Sequence, residues 1–177
     1  MLIFAKAFMK RIFLFSILLL MGCMQQAPSH PPVGGFLGEK EMADSKNRTK
    51  NLNLMERQQI QEWIKMQDEK FYPMNMNYWV NDSELQNNSR KTDGEMISYQ
   101  YDIYNFDKVK LYETPKENIN VSFGHFEELK PVEDALRHMH KNQEITLLIP
   151  SALGFGTYGD QDKIPNDMPL IIKLKVL

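Results

Sequence analysis

Two runs with an apolar residue at every second position constrain this chain more than anything else in it. Ile97, Tyr99, Tyr101 and Ile103 fall on one side, with Ser98, Gln100 and Asp102 on the other. Near the C-terminus Leu170, Ile172, Leu174 and Val176 share a face. Side chains of a strand point to opposite faces in turn, so each run predicts a half-buried strand. Between them Val132, Ala135, Leu136 and Met139 recur at helical spacing. Pro131 suits the first turn of that helix, where its missing N–H would be unpaired anyway. Glu144 to Ile149 reads as another strong strand, and the terminal one runs from Met168 to Leu177. Strands in runs with one inserted helix predict an α+β fold, an antiparallel sheet wrapped on a short helix.

The weaker signals fill in the rest. Asn77 to Val80 predicts a strand and the polar stretch 81–91 a loop. Thr92-Asp93-Gly94-Glu95 and Asn105-Phe106-Asp107-Lys108 predict turns. Val109 to Tyr112 predicts the start of a second strand, and Ile119 to Phe123 a short one ended by Gly124. Upstream, Asn53 followed by Glu56 reads as a capping box. Met55, Ile60, Trp63, Ile64 and Phe71 then predict an extra N-terminal helix from Leu54 to about Lys70, stopped by Tyr72-Pro73. Its expected role is to pack one stripe on the domain, with a dimer helix as the alternative.

The N-terminus addresses the compartment. Lys6, Lys10 and Arg11 precede an apolar run, Ile12 to Leu20, too short to span a bilayer. Leu20-Met21-Gly22-Cys23 follows and resembles a lipoprotein signal peptidase site, with Met21 where smaller residues are commoner. That resemblance implies a signal peptide over 1–22 and lipid on Cys23, and so a membrane anchor and a cell-envelope, periplasm-facing location. Met24 after Cys23, rather than aspartate, favours the outer membrane. Cys23 is the single cysteine, so no internal disulfide is possible and the fold must rest on its core. The Pro-, Gly- and charge-rich stretch 23–50 is expected to be a disordered tether. Residues 51–91 form a helix and strand extension, and 92–177 the domain proper. The net charge of −2, with both signs interspersed, predicts no nucleic-acid partner.

Three stretches carry a family resemblance: Val132-Glu133-Asp134-Ala135-Leu136, then Ile149-Pro150-Ser151-Ala152-Leu153-Gly154-Phe155-Gly156, then Ile164-Pro165-Asn166-Asp167-Met168-Pro169-Leu170. Together they resemble the FKBP-type peptidyl-prolyl cis-trans isomerases over about Asp93 to Leu177. The loop Tyr158-Gly159-Asp160-Gln161-Asp162-Lys163-Ile164 looks like that of gliding-motility-associated lipoproteins of Bacteroidetes. The resemblance implies an FKBP-like twisted antiparallel sheet and a prolyl isomerase acting on proline-containing polypeptides, without a cofactor. It implies a catalytic pocket of Tyr99, Leu129, Val132, Phe155, Ile164 and Ile172, with Leu111, Val121, Glu128 and Tyr158 contacting substrate. Tyr101 is the alternative to Tyr99. Two departures stand out: Val132 replaces the usual tryptophan floor, and Phe155 replaces a tyrosine whose hydroxyl bonds a ligand carbonyl. A binding module without turnover, or a structural subunit of a motility or secretion apparatus, are the alternatives. His138 and His140 lie on different helix faces, and Asp160, Asp162 and Asp167 lack EF-hand spacing, so no metal site is expected.

Overall fold

The computed structural model describes residues 38–126 and 129–177; the expected signal peptide, Cys23 and Glu128 lie outside the described residues. The chain divides after Met42 into two compact units. The second, Ala43–Leu177, holds all the described strands and, save the first turn of one of them, the described helices. The order is α1 (Glu39–Lys65), β1 (Tyr72–Pro73), β2 (Trp79–Val80), β3 (Met96–Tyr104), β4 (Lys116–Ser122), α2 (Lys130–His138), β5 (Glu144–Ile149) and β6 (Leu170–Val176). Short 3-10 turns occupy Leu85–Asn87, Ser151–Leu153 and Gly156–Tyr158.

The strands form one six-stranded antiparallel sheet in the order β1-β2-β5-β6-β3-β4. Its centre is the pair of alternating runs: Tyr99 faces Val176, Tyr101 faces Leu174 and Ile103 faces Ile172. β5 closes on the other side of β6, with Leu147 opposite Ile172 and Ile149 opposite Leu170. This register puts the apolar sets of three strands on one face, where α2 lays Val132, Ala135, Leu136 and, just past its end, Met139. Glu133 and Arg137 on α2 pair at 2.8 Å, and Arg137 reaches on to Asp93 at 2.6 Å and to the Lys91 carbonyl at 3.0 Å. That guanidinium ties the helix to the Thr92–Glu95 turn. Burial works against its charge, but the two carboxylates outweigh that and hold its pKa above the ordinary value.

The opposite face is also covered. Ile60 of α1 packs with Trp79, Leu148 and Ile171, flanked by Trp63, Ile64, Phe71, Tyr104 and Phe106. The Trp63 indole N–H donates to the Phe106 carbonyl at 2.9 Å. A helix that buries only Ile60 completely gains its hold from this C-terminal half.

Three expectations are corrected. α1 begins at Glu39, well before Leu54 and within the stretch 23–50 expected to be a tether, so Asn53 is a helix-interior residue rather than a cap. The acidic first turn, Glu39 and Glu41, suits a helix start and overrides the polar composition that suggested a spacer. The helix ends at Lys65 instead of near Lys70, closed by the N–H groups of Met66 and Gln67 bonding back to Trp63 and Ile64. Residues 109–112 form no strand: a single bridge joins Tyr104 and Lys110, and Lys110 turns to pair with Asp102 at 2.8 Å. The strand beside β3 is Lys116–Ser122, the one expected over Ile119 to Phe123, with a polar, exposed start that the alternation did not reveal. Among the described residues, no helix is long and apolar enough to cross a membrane.

Candidate active site

Each predicted pocket residue other than Glu128 has a definite place. Tyr99 projects inward from β3, Ile172 from β6 and Val132 from the first turn of α2; with Ile164 they belong to one buried cluster. Leu111, Val121, Leu129 and Phe155 are half-buried and pack against it. Tyr158 does not join them: it stands 84% exposed.

The floor carries an aromatic row. The Phe123 and Phe126 rings lie 5.2 Å apart, Phe126 and Tyr99 5.5 Å, and Tyr99 and Tyr101 6.3 Å, all nearly parallel. The Lys116 ammonium lies 6.0 Å from the Tyr101 ring and 5.8 Å from the Phe155 ring, so one cation serves both. Phe126 and Tyr112 were not foreseen. Phe126 follows Gly124 in an irregular stretch without periodicity, and Tyr112 belonged to a strand that does not form.

The floor is covered. Tyr99, Val132 and Ile172 have no exposed surface at all, and the Tyr99 hydroxyl accepts a hydrogen bond from the Asn118 amide at 3.1 Å. The rings with surface to offer are Tyr112, Phe126 and Phe155. With no exposed surface, Val132 lies out of reach of a pyrrolidine as these side chains stand.

The loop that carries Phe155 is tied at several points. Leu153 N–H and Gly154 N–H donate to the Pro150 carbonyl at 2.9 and 3.1 Å, and Asp167 N–H donates to the Gly156 carbonyl at 2.8 Å. Gly159 has φ 63°, and a Cβ there would lie 2.1 Å from the Ile164 carbonyl oxygen, so only glycine fits. Asp160 then accepts from the Ile164 N–H at 2.8 Å, the Asp162 N–H at 3.0 Å and the Tyr112 hydroxyl. Burial opposes the Asp160 charge, but these bonds prevail and hold its pKa below the usual carboxylate range. Burial, and then the bond to Asp160, push the Tyr112 hydroxyl up to about 12. The pair knots the loop to the segment after β3 and brings Ile164 onto the cluster.

No acid–base or nucleophilic constellation sits among these side chains. The chemistry such a surface supports is non-covalent. An amide resists rotation by roughly 18–20 kcal/mol because resonance keeps it planar. Twisting breaks the resonance and makes the carbonyl–nitrogen unit less polar. A dry apolar surface therefore favours the twisted form over the planar one, which is differential binding without proton transfer.

Comparison with known proteins bears on the fold and the family. The described structure resembles a peptidyl-prolyl cis-trans isomerase from Pseudomonas syringae pv. tomato, with a TM-score of 0.51 and 15% identity, covering 73% of this chain and 93% of that one. It resembles FkpA from Escherichia coli with a TM-score of 0.50 and 16% identity, covering 81% of this chain and 73% of that one. Identities this low speak for the fold alone. No match is found among curated proteins. The sequence profile named FKBP-type peptidyl-prolyl cis-trans isomerase matches residues 87–177, from the 3-10 turn before β3 to the end of β6, and this chain belongs to that family.

Proposed function

We propose that this protein accelerates cis–trans exchange of X-Pro bonds in polypeptide segments that fold outside the cytoplasm, held at a membrane by lipid on Cys23. The observation that carries the isomerase reading is the joint placement of Tyr99, Val132, Ile164 and Ile172 in one cluster beneath Phe155. X-Pro bonds exchange over tens of seconds or longer unaided, so even a modest catalyst changes the folding of a client. Phe155 contributes a ring but no hydroxyl, and Val132 a smaller floor than tryptophan, so turnover is expected to be modest.

A protease-coupled assay on X-Pro peptides tests the reading. A rate above background that falls on Phe155→Ala supports it, and no rate above background overturns it. The covered floor favours one second reading, a polypeptide-binding module without turnover, which predicts that an X-Pro peptide binds while its exchange rate stays at background. The tether rests on the order of basic, apolar and small-residue blocks before Cys23. Labelling with a palmitate analogue and membrane fractionation check it, with Cys23→Ser expected to lose both the label and the membrane fraction. The narrower likeness to gliding-motility lipoproteins rests on the order of helix, linker and domain and on the Tyr158–Ile164 loop. A stable motility-apparatus partner in a pull-down, independent of proline peptides, would support it.

A further inference from the structure

Glu56 spends both carboxylate oxygens on one residue 95 positions away: the Ser151 N–H donates to Oε1 at 2.5 Å and the Ser151 hydroxyl to Oε2 at 2.8 Å. Ser151 is buried, and Glu56 lies on α1, outside the stretch 87–177 that matches the isomerase family. We propose that Glu56 is a positioning residue of the proline site, holding the turn from which Phe155 hangs. The inference rests on the isomerase reading above and adds to it a role for a helix that the family match does not include.

The anchor for this grip is firm. Ile60, one turn along α1, is sealed against Trp79, Leu148 and Ile171. Arg57, next to Glu56, donates to the Asn77 side chain at 2.6 Å and lies 5.5 Å over the Trp79 ring. Glu56 therefore cannot follow a loop that drifts. From Ser151 the chain is stiff as far as Phe155. Pro150 accepts from Leu153 and Gly154, Gly154 N–H also donates to the Ser151 carbonyl at 2.9 Å, and Phe155 is the next residue. A Cβ on Gly154 would meet the Leu170 side chain at 3.4 Å, so this bend sits close on β6.

Without the carboxylate, a buried N–H and a buried hydroxyl on Ser151 lose their partner. Such groups do not stay unpaired when a small backbone shift can bring them to water. The shift moves the Ser151–Leu153 turn and carries Phe155 away from the buried cluster it packs on. α1 is thus a brace across the sheet from the site, reaching it through one carboxylate.

The test uses the full chain in detergent, with Glu56→Ala and Glu56→Gln made in the natural background and in Phe155→Ala. In the natural background Glu56→Ala is expected to lower kcat/KM roughly tenfold, within the cost of misplacing a contact group. Glu56→Gln, which still accepts from the Ser151 N–H, should keep most of it. In the Phe155→Ala background Glu56→Ala should change kcat/KM little, because the group it positions is gone. Amide exchange at Leu153, Gly154 and Asp167 should quicken in Glu56→Ala while amides of α2 do not change. The proposal is overturned if Glu56→Ala lowers kcat/KM equally in both backgrounds, or if loop exchange stays as in the natural chain. Should no form of the chain isomerise X-Pro peptides, the isomerase reading fails, and loop exchange alone still decides whether Glu56 holds the turn.

Discussion

The two faces of the sheet are both buried, but by different kinds of partner. The inner face is closed by α2, which lies between β4 and β5 in the chain and inside the family match. The outer face is closed by α1, which lies before the sheet and outside the match. The inner core is large, contains aromatic rings and is knitted by the Arg137 bridge. The outer one rests on Ile60 and the residues around it. This contrast separates what makes the fold from what braces it. The inner face holds the sheet together and forms the floor of the proposed proline site, while the outer face holds α1, whose Glu56 bonds Ser151 at the start of the Phe155 loop.

Truncation on each side is the sharpest way to break the contrast. Leu136→Ala removes a fully buried side chain from α2 and is expected to cost about 2–5 kcal/mol of global stability, read from denaturant unfolding. Ile60→Ala is expected to cost about 2 kcal/mol, at the low end for such a truncation. Its loss should be local: amide exchange should quicken along α1 while β3 and β6 keep their protection. If Ile60→Ala unfolds the whole domain in one step, the two faces are not separable and the contrast fails.

Much of the inner face was legible. β3, β6 and α2 each carry a period over at least four apolar positions, and tertiary structure had only to confirm it. The outer face left a trace too, in the adjacent apolar pairs Leu147-Leu148 and Ile171-Ile172, where strict alternation would have put a polar residue. Leu148 and Ile171 are the residues that α1 covers. What was hidden had no local period. The start of α1 looks like a linker because its first turns are exposed and polar. The first residues of β4, before Ile119, are exposed and polar, so only its second half was legible. Phe126 gains its importance from stacking on Tyr99, a contact between distant positions that no spacing encodes. The cover over Val132 belongs to the same class.

That cover changes what a tryptophan at the floor would do. Val132 has no exposed surface, so Val132→Trp must displace its neighbours, at about 1–3 kcal/mol for overpacking. It is therefore expected to lower stability, checked by thermal unfolding, without improving turnover. Phe155→Tyr, at a half-buried position, should raise kcat/KM a few-fold with little change in stability. A gain from the tryptophan would mean that the floor is open in solution.

The smallest expected effect concerns the knot between Tyr112 and Asp160. The Tyr112 pKa rises on folding from 10.0 to about 12, so its contribution is complete below 10.0 and is lost as pH rises toward about 12. Urea unfolding across that range should show stability falling in the natural chain and a shallower fall in Tyr112→Phe. Equal slopes would remove the knot from the account of the loop.

The most direct test of the central claim follows an X-Pro peptide by exchange NMR in the presence of the full chain. Cis–trans exchange peaks should appear at catalytic concentrations of the protein and weaken, without disappearing, with Phe155→Ala. Peptide that binds at saturation, yet exchanges no faster than it does alone, would contradict the claim that this covered apolar floor turns over prolyl bonds.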